Sequence, residues 1–514
     1  MGKKILWIDD EIELLEPHII FLKNKGYDVI DINNAAEALE LIPINNFDAV
    51  LLDENMPGIG GLEALQKIKE IKSDLPVIMV TKNEAEDIME EAIGEKITDY
   101  ILKPVNPNQV LISLKKLLKS DEIIEKKTVQ NYQQEFRKIS MDLMYAQSFE
   151  DWIQIYLKLI QWDISFDKLS DVEMSSILNN QKEEANSLFS KFIENNYHSW
   201  LHSEQKPVMS HTAFNEVVRP VINTHKKVIL LMIDNLRYDQ WKIIKPLFAK
   251  NFNTITEKSY FSILPSATQY ARNSFFAGLL PLEIEKKYPQ YWVSENDDEH
   301  KNQYESELLS AQLQRLGLKG VRNKYFKILN AEFEKKIYDE FKYHSSNADF
   351  ITIVYNFIDI LSHAKTNNNI VNELIRDDKT FRSLTYTWFE NSSILKIIQS
   401  AAEDGYKVVI TTDHGTIYVK KPSKVIGDKE SSTNLRYKLG KNLQYDEKDV
   451  FAVSDPENYF LPKVNLNSKY IFAKENKFFA YPKNYNHYVN YYKDTYQHGG
   501  ISMEEMIIPI AILE

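Results

Sequence analysis

AVLLDENMPG, residues 49–58, decides how the first part of this chain folds. Four apolar residues run into Asp53, and Asn55, Pro57 and Gly58 then turn the chain. Outward from this run lie four more strand-like stretches, Ile5–Ile8, Val29–Ile32, Val77–Val80 and Ile97–Leu102, with amphipathic helical stretches such as Glu63–Ile71 between them. Strands that alternate with helices predict a parallel α/β sheet. Five of them predict a flavodoxin-like, doubly wound domain over residues 1–120, with its site at the carboxyl ends of the strands. Those ends carry Asp9 and Asp10 after the first strand, Asp53 after the third, Thr81 after the fourth and Lys103 after the fifth.

Three carboxylates in one crevice repel each other unless a hard cation sits among them, and Mg²⁺ suits an all-oxygen set. One carboxylate could then attack a phosphoryl group, while the Thr81 hydroxyl and the Lys103 ammonium bind the phosphoryl oxygens. The set Asp9-Asp10-Glu11, Asp53 with Met56-Pro57-Gly58, Thr81 and Lys103-Pro104 resembles the receiver domain of two-component response regulators. That resemblance implies that Asp53 is the phosphoacceptor and a sensor histidine kinase the partner. It also implies that Asp9 and Asp10 are Mg²⁺-pocket acids, that the Asn55 carbonyl is a third ligand, and that Tyr100 is the switch aromatic.

Residues 121–205 read as a helical connector or small bundle. Apolar residues recur there at helical spacing (Phe136, Ile139, Leu143; Trp152, Ile155, Tyr156, Leu159), and Ser203–Pro207 reads as a boundary. From 206 to 514 the α/β pattern returns, with strands expected at Val228–Ile233, Ile351–Phe357 and Val408–Thr412. The polar, Lys- and Tyr-rich segments 281–345 and 416–497 read as caps or lids over a sheet-edge site.

This second region also carries acids and imidazoles at its strand ends: Asp234, Asp359 and His363, Asp413 and His414, and His498 in HGG. Asp359 and His363 are four apart and share a helical face, so they could hold one ion. Asp413 and His414 could converge on another, with Gly415 permitting the turn. Three Asp and three His suffice for two ions. The mixed donors favour Zn²⁺, or Mn²⁺ as the alternative, over Mg²⁺ or Ca²⁺. Pro265 and Ser266 look like a helix start just before Thr268.

The ordered set LMIDNLRYDQW, PSATQYARN, DILSH, TTDHG and HGGISMEEMIIP resembles the alkaline-phosphatase superfamily, in its PglZ branch. The resemblance implies one metal on Asp234, Asp413 and His414, with Thr268 as ligand and nucleophile, and another on Asp359, His363 and His498. Ser266 competes as nucleophile, and Asn235 and Asn273 are candidates for substrate contact. Receiver, connector and PglZ-like region together resemble response regulators linked to type IX secretion, and phosphorylation of Asp53 is expected to favour a homodimer.

The 514 residues exceed one ordinary core, and 43% hydrophobic content suffices for several. No cysteine is present, so any metal must sit on His, Asp, Glu or hydroxyls. No signal peptide or bilayer-length apolar run is read, and the expectation is a soluble cytoplasmic protein without membrane insertion. A net charge of −12 argues against non-specific duplex binding. Residues 416–442 run against that balance, with Lys420, Lys421, Lys424, Lys429, Arg436, Lys438 and Lys441 against Asp428 and Glu430. With the nearby tyrosines they suggest a nucleotide or oligonucleotide phosphodiester as substrate. The rival reading is a non-enzymatic module whose metal domain docks a secretion component or a sigma factor. Retention of every candidate ligand and of Thr268 weighs against it, because a docking surface needs none of them.

Overall fold

The computed structural model describes residues 2–82, 97–118, 120–167, 172–293, 301–367, 369–428 and 431–514. The chain divides into two compact units, Met1–Gln134 and Glu135–Glu514.

In the first unit, β1 (Lys4–Ile8), β2 (Asp28–Ile32), β3 (Ala49–Asp53), β4 (Val77–Thr81) and β5 (Asp99–Leu102) form a parallel sheet in the order β2-β1-β3-β4-β5. This is the doubly wound order, whose ligand crevice lies where the winding reverses, between β1 and β3. Every residue of β3 and β4 is buried, which is why both read as unbroken apolar runs. The fifth strand is shorter than expected: it starts at Asp99 rather than Ile97, and Lys103 lies just beyond it.

The second unit opens with the end of a long helix, Ser120–Tyr145, followed by helices Phe149–Phe166 and Val172–His202. Trp152, Ile155, Tyr156 and Leu159 are all buried, so the spacing seen in the sequence is a packed face. The main sheet is built from β6 (Val228–Ile233), β7 (Ile255–Phe261), β8 (Asn323–Ile328), β9 (Phe350–Tyr355), β10 (Lys407–Thr411) and β18 (Ile507–Leu513). Its order is β7-β18-β10-β6-β9-β8. Strands β10, β6, β9 and β8 run parallel, and β18 is antiparallel to both β10 and β7.

The expectation for 281–345 needs correcting. This polar segment is not all cap, because it contributes β8 to the sheet edge. Five of the six β8 residues are only half-buried, so its sequence lacks the apolar run of a central strand. The segment 416–497 does stand apart from the main sheet. Its strands β11 (Ile417–Val419), β12 (Lys421–Lys424), β13 (Tyr437–Gly440), β14 (Val450–Val453), β15 (Lys469–Ala473), β16 (Lys477–Ala480) and β17 (Thr495–Gln497) form three small sheets.

Candidate metal centre and receiver pocket

In the first unit the carboxylates of Asp9, Asp10 and Asp53 each offer an oxygen within 4.8 Å of the others. Asp9 and Asp53 are buried and Asp10 is exposed. Lys103 reaches between them, its Nζ 2.9 Å from Asp9 and 2.7 Å from Asp53. Burial pushes the Asp53 carboxyl above its usual range, and the hydrogen bond from Lys103 offsets part of this. Burial works against the Lys103 ammonium, but Asp53 and Asp9 hold its pKa above the ordinary value. One ammonium among three carboxylates leaves net negative charge on an all-oxygen donor set, which fits Mg²⁺. The Thr81 hydroxyl donates to the Glu54 carboxylate, a partner that the sequence reading missed. Asn55 is exposed two residues past Asp53, and Tyr100 on β5 is exposed as well.

In the second unit two groups form, Asp234 with Asp413 and His414, and Asp359 with His363 and His498, each with donor atoms within 4.8 Å of one another. Asp234 and Asp413 follow the parallel neighbours β6 and β10, so sheet register alone sets them side by side. Asp359 and His363 lie on the helix Phe357–Asn367 that follows β9, with His363 Nε2 3.4 Å from Asp359 Oδ1. His498 Nε2 lies 3.8 Å from the same oxygen. The rings of His414 and His498 stack at 4.3 Å between centroids, joining the two groups.

The turn at 413–415 is tightly held. Leu236 N–H donates to Thr412 Oγ1, Ser262 Oγ donates to the Asp413 carbonyl, and Gly415 O lies 3.0 Å from His414 Nδ1. That last contact leaves His414 Nε2 to face the site. Gly415 is needed for close approach: a Cβ there would lie 2.0 Å from the Glu504 carbonyl oxygen.

Electrostatics suit a cation. Burial raises Asp234 to about 7 against the pull of Arg272, and burial raises Asp413 too. Burial works against the Asp359 carboxylate as well, yet the hydrogen bond from His363 and the nearby imidazoles hold it below its usual range. Burial keeps His414 and His498 below the ordinary imidazole value, so both are neutral and ready to ligate. Asp413 Oδ2 is buried without a hydrogen-bond partner, as a ligand atom aimed at an ion would be. Two divalent ions, Zn²⁺ or Mn²⁺, fit these donors.

Thr268 is the first residue of the helix Thr268–Ala277, where the helix dipole favours negative charge. The helix starts there and not at Pro265–Ser266, because Ala267 supplies the extended N-cap backbone. Thr268 Oγ1 lies 3.1 Å from His414 Nε2 and 3.5 Å from Asp234 Oδ1. The Ser266 hydroxyl is fully buried and donates to the Gly500 carbonyl at 2.8 Å, which takes it out of the site.

Three sequence expectations change here. Asn235 is not open to substrate: it is buried with φ 64°, and its amide donates to Asp359 Oδ1 and Ser362 Oγ, each at 3.2 Å. It ties one metal group to the other. Asn273 is likewise buried, donating to the Lys301 carbonyl and accepting from Asn302. The basic run is largely spent on the fold. Arg436 is buried against Glu505 at 2.6 Å, and Lys438 is buried with its Nζ on the Ser432 carbonyl. Lys420 and Lys421 pair with Glu183, and Lys429 and Glu430 lie outside the described residues.

The sequence reading also missed Arg272, one turn after Thr268. Its Nη1 is 2.6 Å from Asp234 Oδ2 and 3.7 Å from Asp413 Oδ2, and its Nε is 2.7 Å from Glu305. Lys327 and Tyr325 then engage Glu305. An arginine at i+4 from Thr268 was the available signal; its acidic partners were not visible.

A receiver pocket at the carboxyl end of a doubly wound sheet, and two adjoining Asp/His groups with a threonine against one of them, define the class: a response regulator joined to an alkaline-phosphatase-like domain. Comparison with known proteins agrees. Residues 5–115 match the response regulator receiver domain, 122–201 the PorX response regulator linker domain, and 213–513 the BREX system PglZ alkaline phosphatase-like domain. The last match spans more than half of the chain, which belongs to the PglZ alkaline-phosphatase-like family, in the receiver–linker–PglZ arrangement of PorX-like regulators. Curated relatives match the receiver region. The phosphate regulon transcriptional regulatory protein PhoB of Pseudomonas aeruginosa is 33% identical over 121 residues, 23% of this chain and 53% of the relative. The regulatory protein VanR of Enterococcus faecium is 36% identical over 119 residues, 23% of this chain and 51% of the relative. The chain thus spans about half the length of these relatives. Among solved structures, the chemotaxis protein CheY4 of Vibrio cholerae is 27% identical, covering 23% of this chain and all of that one, with a TM-score of 0.22. Among the described residues no helix is long and apolar enough to cross a membrane.

Proposed function

We propose that this protein is a cytoplasmic response regulator, phosphorylated on Asp53 by a sensor histidine kinase. Its output is a two-zinc phosphodiesterase acting on nucleotide or oligonucleotide phosphodiesters, with Thr268 as the nucleophile. The observation that carries the reading is the placement of Thr268 Oγ1 against His414 and Asp234 at a helix N-terminus. Asp234, Asp413 and His414 would hold one ion, and Asp359, His363 and His498 the other. When bound, two divalent ions supply Lewis acidity at the nucleophile and at the leaving oxygen. Thr268 Oγ would give up its proton and bond to phosphorus as the bond to the leaving alcohol breaks and that oxygen takes up a proton; water would then hydrolyse the threonine phosphodiester, releasing the phosphomonoester and restoring the hydroxyl.

Arg436 and Lys438 of the basic run are internal, while Lys421 and Lys424 are exposed, and the nucleotide reading draws on these exposed cations. Tyr270, two residues past Thr268, packs edge-on against the half-buried Trp292 and against Tyr437, which abuts Gly499 beside His498. Tyr270 and Tyr437 are buried, so of these three rings Trp292 alone has exposed surface to offer a base. The zinc-loaded protein is expected to cleave bis(p-nitrophenyl) phosphate and a short oligonucleotide faster than p-nitrophenyl phosphate. A zinc-loaded protein inert towards all three would favour the docking role.

For the receiver, acetyl phosphate with Mg²⁺ is expected to add one phosphoryl mass to the parent and none to Asp53→Ala. Equal labelling would remove Asp53 as the acceptor. Phosphorylation is expected to favour a homodimer, so the mass seen in sedimentation should rise with beryllofluoride, and an unchanged mass would count against assembly. The resemblance of the whole domain arrangement supports a role for this output in the regulation of type IX secretion.

A further inference from the structure

The helix Val172–His202 reaches into the scaffold of the metal centre through the side chain of Asn186. Asn186 is buried, and its carboxamide is fully engaged. Nδ2 donates to both Glu504 oxygens, at 3.0 and 3.3 Å, and Oδ1 accepts the Met503 N–H at 2.8 Å. Two metal-ligand turns rest on the backbone so gripped. The Glu504 carbonyl packs against Gly415, next to His414, so closely that no side chain fits there. The neighbouring Glu505 carbonyl accepts the Gly415 N–H at 3.2 Å, and its carboxylate accepts the Gly500 N–H at 2.9 Å, two residues past His498. Asn186 therefore grips a segment that supports a ligand of each metal group, His414 and His498, whose rings stack on one another.

We infer that Asn186 is a positioning residue: from the connector helix it sets the relative placement of the two metal groups, and so how tightly the pair of ions binds. The inference rests on the two-metal reading above. A group that orients ligands from behind changes metal affinity by about 10- to 100-fold when lost. A group that only stabilises the fold shifts unfolding and leaves affinity alone.

Asn186→Asp is the informative change. It keeps the acceptor for Met503 N–H but sets a carboxylate against Glu504. Zinc titration against a competing chelator should then show affinity lower by about 10-fold or more, with an altered visible spectrum of the cobalt(II)-substituted protein. The double variant Asn186→Asp with Glu504→Gln restores the hydrogen bond with donor and acceptor exchanged, and should recover both readouts. Ser190→Ala, whose hydroxyl bonds back to the Asn186 carbonyl on the same helix, should change neither. If Asn186→Asp does not fold, Asn186→Ala carries the same titration without the added charge. Parent-like titration and spectrum in the Asn186 variant, or a double variant as impaired as the single, would overturn the assignment. A parent protein that binds no zinc would instead overturn the metal reading itself.

Discussion

The Thr268→Ala protein is expected to keep most of its zinc and to lose phosphodiesterase turnover by about a thousandfold or more. Thr268 contributes one neutral oxygen beside two complete groups of charged and imidazole donors, so its loss removes the attacking atom and leaves the cation sites standing. Asp413→Ala and His363→Ala act on the ions instead. Each takes one of three ligands from its group, so bound metal and turnover should fall together. Metal analysis and diester hydrolysis on the same preparations separate the two cases. If Thr268→Ala lost zinc as fully as Asp413→Ala, the hydroxyl would be a ligand first and the nucleophile would have to be sought elsewhere. Parent-like turnover in Thr268→Ala would refute the nucleophile directly.

The second large effect concerns Arg272. Its guanidinium is 1% exposed and bridges Asp234 and Glu305. Breaking a buried ion pair by removing one partner costs about 3–5 kcal/mol, because the other charge is left in a poor solvent. Arg272→Met should therefore lower the denaturant midpoint of the metal-free protein sharply. Zinc should recover part of the loss, since an ion on Asp234 replaces one of the two interactions while Lys327 still serves Glu305. Equal midpoints for parent and variant without metal would show that the guanidinium adds no net stability.

Part of the candidate site was legible because three of its acids each follow a largely apolar strand. Asp53 closes VLLD, Asp234 closes LLMID and Asp413 closes VITTD; parallel strands in register bring such ends together without further information. The Asp359–His363 pair was legible from helical spacing alone. What stayed hidden depends on partners distant in sequence. Lys438 and Arg436 read as surface charge because nothing nearby announces the Ser432 carbonyl or Glu505 that bury them. Glu305 and Lys327 lie in a segment that read as cap, and Asn186 is one polar residue on a helix of mixed character. Strand β8 escaped for a different reason: half-buried edge residues need no apolar pattern.

The position of β18 bears on how the protein is made. Residues 507–513 do not decorate an edge; they pair with β7 on one side and β10 on the other, and β10 delivers Asp413. The five strands of the first unit come from one contiguous stretch, so that unit can fold while synthesis continues. The larger sheet cannot close until residue 513 has left the ribosome, and β7 must wait some 250 residues for the strand that joins it to β10. During that interval the nascent chain carries a finished receiver domain and an unfinished PglZ alkaline-phosphatase-like domain, with the apolar flank of β10 awaiting its neighbour. The candidate metal site of the second unit is thereby completed only after this strand has emerged, later than the pocket of the first.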